Sequence, residues 1–381
     1  MKDISLNHIN VDRVIHGGRI KMKKALTVLL VLSFVFALPA FAEKKKAETK
    51  PVATVEQLIE SGEYQKAIDL GNKTIASGQE TAGLLANIGV AYYKLKDNAN
   101  ALAFLEKAYA KASDPLAPET QLQLQALMFE ATIFHEMAQE EKVAEAYGKA
   151  LAIAPEDKEV LYSYAHIVEA KDKAKAFELY DKLVPLDPLY KNVGYDAGVF
   201  ALQNGDLDRA ESYLTKARNT APENEDTLLA LSQVLLKKKS YESAVPVLEK
   251  VSTITTKEML KPALLQRLAF CQLQTNKPAD CIQTADKIIA LRPNDEAALH
   301  FKSEAYYQMK DLKNAAAAAD QLLALNPNHE NAMYRRAVIY LEQKSNDKAK
   351  PLLEKIASST KDSERKAEVQ GYLKQMKGGK K

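Results

Sequence analysis

The chain has 381 residues, with 46% apolar and 27% charged residues and only 14 glycines and 14 prolines. So few turn formers, beside abundant Ala, Leu, Lys and Glu, exclude a β-sandwich, and two cysteines exclude a disulfide scaffold; the balance is that of helices joined by short turns. Six of the 53 basic and two of the 50 acidic residues lie in 1–42, leaving 47 against 48 in the rest, which gives a nucleic acid no one-sided basic field to bind.

In chain order, Met22-Lys23-Lys24 precedes an uncharged apolar run, Ala25 to Leu38, and then Pro39-Ala40-Phe41-Ala42. A basic start, a core too short to span a bilayer with ease and an Ala-x-Ala site read as a signal peptide over 22–42, cleaved between Ala42 and Glu43. The expectation is export to the periplasm with no stable membrane span after cleavage; the alternative is an uncleaved N-terminal membrane anchor. Residues 1–21 place Asp3, Asp12 and Arg13 ahead of a signal already complete from Met22, and read as an extension from a misassigned start codon. A basic linker, 43–53, leads into the body of the chain.

From residue 54 to 361 the sequence repeats itself. Pro155, Pro188, Pro222, Pro293 and Pro327 each follow an apolar stretch, with steps of 34 from 188 to 222 and from 293 to 327 and of 33 from 155 to 188. Twelve residues before these prolines stand Val143, Ala176, Ala210, Cys281 and Ala315; twenty-four before stand Ala131, Gly198, Ala269 and Ser303, and Ala337 and Ala349 continue both series. Each period predicts two amphipathic helices crossing at small side chains, with large ones such as Leu105, Tyr147, Tyr180, Leu214, Leu248 and Leu353 filling the space against the next unit. Proline stops the second helix because it lacks an N–H and restricts the residue before it. Gly62-Glu63-Tyr64, Asn204-Gly205-Asp206 and Lys239-Ser240-Tyr241 supply turns between paired helices. Thr54-Val55-Glu56-Gln57 has the pattern of a capping box and opens a shortened first helix. Inserts at 116–123 and 259–261 lengthen two connections. A final helix over 362–377, with Ala367, Val369, Tyr372, Leu373 and Met376, is expected to cover the last apolar face, and 378–381 form a basic tail.

These residues resemble the tetratricopeptide repeat (TPR) family, with about nine units between residues 48 and 363. The resemblance implies an all-α, right-handed α-solenoid of helix-turn-helix units closed by a C-terminal capping helix, and a protein that binds peptides or proteins on the concave groove lined by first helices. It departs from the family in having no Trp, so the bulky early aromatic of the first helix is replaced. A subfamily clamps C-terminal carboxylates with Lys and Asn. Asn87 falls on one such place, but Val52 and Glu56 stand where the others are needed, and that clamp is not expected.

A search for chemistry finds no catalytic constellation. The six histidines, His8, His16, His135, His166, His300 and His329, form no i, i+4 pair, and no zinc-protease, nucleophile-elbow or phosphate-loop motif occurs. Neither enzyme activity nor a cofactor or metal is expected. Cys271 and Cys281 lie nearly symmetrically about the turn at Asn276; an oxidising compartment permits a disulfide between them, the alternative being two small core residues. Carried over from the family, the inward slots hold Tyr93, His135, Tyr162, His166, Tyr195, Phe270, His300, Tyr307 and Tyr334. Rings among polar neighbours suit peptide capture, although each ring alone also suits packing between helices. Arg267, Arg335 and Arg336 make the C-terminal end locally cationic by sequence. The reading is a non-catalytic interaction scaffold or adaptor of the bacterial cell envelope; the alternative is a structural subunit that self-associates, a homo-oligomer, through its end faces.

Overall fold

The computed structural model describes residues 53–115 and 118–378, and among them 19 α-helices and no strand. The signal segment, the Ala42–Glu43 junction, all but the end of the basic linker, and residues 379–381 of the tail lie outside the described residues. The chain divides into two compact bodies, one through Asp187 and one from Pro188. The first contains α1 (Val55–Glu60), α2 (Tyr64–Ala76), α3 (Ala82–Lys94), α4 (Asn98–Ala112), α5 (Thr120–Glu136), α6 (Glu140–Ile153), α7 (Lys158–Val168) and α8 (Lys173–Leu186). The second begins with a 3-10 turn (Tyr190–Asn192) and continues through α9 (Val193–Gln203), α10 (Leu207–Thr220), α11 (Glu225–Lys237), α12 (Tyr241–Ile254), α13 (Lys261–Gln274) and α14 (Pro278–Leu291). It ends with α15 (Glu296–Gln308), α16 (Leu312–Leu325), α17 (Glu330–Glu342), α18 (Asn346–Ser359) and α19 (Ser363–Gly378). Within each body successive helices pack in pairs, and first helices also meet one another: α1 on α3, α3 on α5 and α5 on α7 in the first, α9 on α11, α13 on α15 and α15 on α17 in the second. Both bodies are all-α helical-repeat solenoid.

The turn inside each unit shows why the period is kept. A residue with left-handed φ recurs at Gly62, Lys96, Ala138, Gly205, Lys239, Asn276, Lys310 and Lys344, in steps of 34 broken only where the inserts lie and where one unit is a residue short. At each, the next N–H reaches back five residues to close the first helix, as Asp97 N to Tyr92 O (3.0 Å) and Asp311 N to Tyr306 O (2.9 Å). The same aspartates then accept from the third residue of the second helix, Asp97 from Asn100 N and Asp311 from Asn314 N, both at 3.1 Å. One residue therefore ends one helix and starts the next. The fourth unit, which spans 33 residues between prolines, has no left-handed residue there; α7 stops at Val168 and Asp172 N bonds Val168 O instead.

The crossings follow the small-residue phase. Ala67, Ala101, Ala131, Ala176, Ala210, Ala269, Ala315, Ala337 and Ala349 are fully buried. A Cβ on Gly198 would lie 2.4 Å from Leu214 Cγ, so only hydrogen fits there. Ser303, in the same slot, buries its hydroxyl by donating to Ala315 O at 3.0 Å. Each repeating proline sits two residues past the end of a second helix, and α8, α12 and α18 also carry Pro185, Pro246 and Pro351 internally. The Thr54–Gln57 capping box is present in both directions. In α19, Val369 is buried while Tyr372, Leu373 and Met376 pack against Met333, Ala337, Leu353 and Ile356. Ala367 is exposed, contrary to its expected place: the buried stripe runs 369, 372, 373, 376, and 367 is off that helical face.

Candidate functional site: the face of the first helices

The side chains expected to face inward come from α3, α5, α7, α9, α13, α15 and α17, and the structure couples most of them to the neighbouring unit. On α3, Tyr93 is buried and its hydroxyl donates to Glu136 Oε1 of α5 at 2.5 Å. Lys96 Nζ lies 5.1 Å from that ring and 3.4 Å from Glu136 Oε2. Burial, then the adjacent carboxylate, push the Tyr93 phenol above its ordinary range. His135, in the same slot one unit on, sits 3.7 Å from Glu140, which also pairs with Lys171. On α7, Tyr162 is buried edge-on to His166 at 4.3 Å; His166 Nδ1 is 3.2 Å from Glu169, whose Oε1 also accepts from Tyr180 at 2.5 Å. Asn87 donates to Glu56 at 2.6 Å, so the one place shared with carboxylate-clamping relatives is spent on a contact between units.

In the second body, Tyr195 on α9 is half-buried. On α13, Arg267 is buried and Phe270 meets Tyr241 edge-on at 5.4 Å. On α15, His300 is buried with its ring 5.9 Å from His329, and burial pushes its imidazole down to about 4. Tyr307, also on α15, lies under the Arg335 guanidinium of α17 at 3.7 Å and donates to Glu342. Tyr334 on α17 repeats the motif: Arg365 of α19 stacks on it at 3.8 Å and its hydroxyl donates to Glu368. A guanidinium group thus covers one face of each of these two rings, and a carboxylate of the helix that supplies it holds each phenol.

Two expectations change. Arg335 and Arg336 do not form a free cationic patch: Arg335 holds Glu304 with Nε–Oε1 at 2.8 Å and Nη2–Oε2 at 2.5 Å, and Arg336 holds Asp320 at 2.7 Å. Each positive charge is offset by a carboxylate within hydrogen-bond distance. Cys271 and Cys281 are buried free thiols, not a disulfide. Cys281 Sγ lies 3.9 Å from Phe301 O of α15, the following helix, and burial raises both thiols to about 12, so both are small core residues. The residues that sequence reading missed are the acidic partners Glu136, Glu304, Glu342 and Glu368. Their signal was available: Glu342 and Glu368 stand 35 and 34 residues after their tyrosines, and Glu136 stands 43 after Tyr93, the Tyr307–Glu342 spacing plus the eight-residue insert.

Among the described residues no group of three or more His, Cys, Asp or Glu is placed to hold a metal ion, and no helix is long and apolar enough to cross a membrane. No curated protein matches the sequence. Solved structures that resemble it include MamA, 20% identical over 44% of this chain and 90% of that one with a TM-score of 0.39. MamA 41-end from Desulfovibrio magneticus RS-1 is 18% identical over 46% and 98% with a TM-score of 0.38. YrrB, described as a TPR protein with an unusual peptide-binding site, is 17% identical over 60% and 99% with a TM-score of 0.38. Tetratricopeptide repeat family models match residues 55–118, 201–258 and 306–371, each spanning helices whose turns and crossings are described above. With nine helix pairs among the described residues and these matches spread along the chain, it belongs to the tetratricopeptide repeat family, an all-α scaffold for protein–protein interaction.

Proposed function

We propose that this protein is a non-catalytic adaptor of the bacterial cell envelope, holding a peptide or protein partner on the face of its first helices. The observation that carries the reading is the coupling of that face from unit to unit. Tyr93–Glu136, Tyr307–Glu342 and Tyr334–Glu368 each tie one first helix to the next first helix or the cap, and Arg335 and Arg365 lock two of the rings. Side chains already fixed lose little conformational entropy when a partner arrives, which favours binding through contacts spread over several units. The envelope setting rests on the sequence of 22–42, with its basic start, apolar core and Ala-x-Ala end.

The test places a photocrosslinking amino acid at Tyr195, Phe270 or Tyr307 on first helices, and at exposed Lys216 on α10 as the control, in cells of a Gram-negative host. The adaptor reading expects one partner captured from first-helix positions and not from Lys216, by protein recovered from the periplasm with Glu43 as its first residue. Capture of the chain's own copies alone replaces the adaptor with the self-associating subunit, and recovery from the cytoplasm removes the envelope setting.

A further inference from the structure

The first helices of the second body are capped by different chemistry. Asn224 accepts from Thr227 N at 2.9 Å and Asp295 from Ala298 N at 3.0 Å, but α17 is capped by an imidazole: His329 Nδ1 accepts from Ala332 N at 3.3 Å. Accepting at Nδ1 requires a neutral ring with its proton on Nε2. A second proton turns the acceptor into a donor and sets a positive charge at a helix N-terminus, where the backbone dipoles already present positive ends. Asparagine cannot take up such a proton, and an aspartate cap keeps its charge until far lower pH.

The surroundings make that proton costly. The His300 ring is 5.9 Å away and buried, and its Nδ1 has no hydrogen-bond partner. Arg335 and Arg365 add positive charge around His300, while Glu304 is held by Arg335. Glu296, at the start of α15, favours a charged His329, but one of its oxygens is engaged by Asn326 at the end of α16. Glu330, next to the cap, accepts from Thr360 at 3.0 Å, and Lys355 of α18 donates to Pro327 O at 3.0 Å.

We propose that the start of α17 is an acid-sensitive joint, at which proton uptake by His329, reinforced by His300, releases the cap and loosens α17, α18 and α19 while the units before them hold. The direction follows from linkage. Burial, the largest influence at both sites, holds both imidazoles below their ordinary value, so the folded state binds fewer protons than the unfolded chain. The stabilisation is present above the ordinary imidazole value and is lost as pH falls below it toward the folded values.

Amide hydrogen exchange of the intact protein at pH 7.5 and 5.5, corrected for intrinsic exchange rates, tests this. Segments covering 326–378 should lose protection by about tenfold at the lower pH, which lies one unit below the ordinary imidazole value, where protonation favours the unfolded chain about tenfold per unit. Segments around the Asn224-capped α11 should keep theirs. His329→Asp, which installs the cap used at 295, should hold protection at pH 5.5, and His329→Asn, the cap used at 224, is the second variant should the first fail to fold. Unchanged wild-type protection across the two pH values overturns the proposal, as does an undiminished loss in a folded cap variant.

Discussion

Four of the eight left-handed turn residues are lysines, and for two of them the structure shows a compensation. A side chain at positive φ costs roughly 1–2 kcal/mol in steric crowding. Lys96 and Lys310 lay their ammonium groups 5.1 and 5.2 Å from the rings of Tyr93 and Tyr307, three residues earlier in each case. Ala138, at φ 56°, has nothing comparable to reach with. Ala138→Gly should therefore raise stability by about 0.5–1 kcal/mol, while Lys310→Gly should be nearly neutral because relief of crowding is offset by the lost cation–π contact. Urea midpoints at constant m-value would check both, and a gain at Lys310 equal to that at Ala138 would remove the compensation argument. At Gly198 the sign reverses: a Cβ would meet Leu214 Cγ at 2.4 Å, and Gly198→Leu should cost roughly 1–3 kcal/mol by overpacking the α9–α10 crossing. The Gly198 slot was legible from its phase with Ala131, Ala269 and Ser303. The left-handed lysines were not, because lysine carries no turn signal and only the backbone reveals which residue of the turn takes positive φ.

Between elements, the contacts that matter lie one repeat apart, and a sequence scanned residue by residue does not pair them. Arg335 on α17 and Glu304 on α15 are each about nine-tenths buried at the side chain and share two hydrogen bonds. Removing one partner leaves a buried charge alone, so Arg335→Met should cost about 3–5 kcal/mol, whereas Arg335→Met with Glu304→Leu should recover most of the loss. A thermal-denaturation double-mutant cycle reads the difference, and additive losses would show that the pair does not interact as the geometry implies. Sequence periodicity placed Arg335 on a first helix and read it as part of a locally cationic end, because charge counting along one segment cannot see a carboxylate 31 residues upstream. The tyrosine partners failed to emerge for the same reason. The repeat period that located the helices would have located Glu342 and Glu368 had charges been phased as the small residues were.

At the scale of a whole repeat body, stability is a chain of nearest-neighbour contacts, and its ends are where it is most exposed. The second body ends in α19, a helix whose one apolar stripe, Val369, Tyr372, Leu373 and Met376, covers Met333, Leu353 and Ile356 of the last unit. It also brings Glu368 and Arg365 to Tyr334, so the cap continues the coupling between first helices beyond the ninth pair. Deleting residues 362–381 removes both at once. The apolar faces of α17 and α18 would then meet water while Tyr334 lost both its acceptor and its stacked guanidinium. The expected outcome is local: α17 and α18 lose exchange protection and helical signal falls by more than the deleted helix contributes, while α9 to α14, which pack on their own neighbours, keep their protection. A truncated protein with α17 and α18 as protected as before would mean that the last unit stands without its cap. Loss of protection throughout the second body would mean that its units fold as one cooperative block and not as a chain of neighbours.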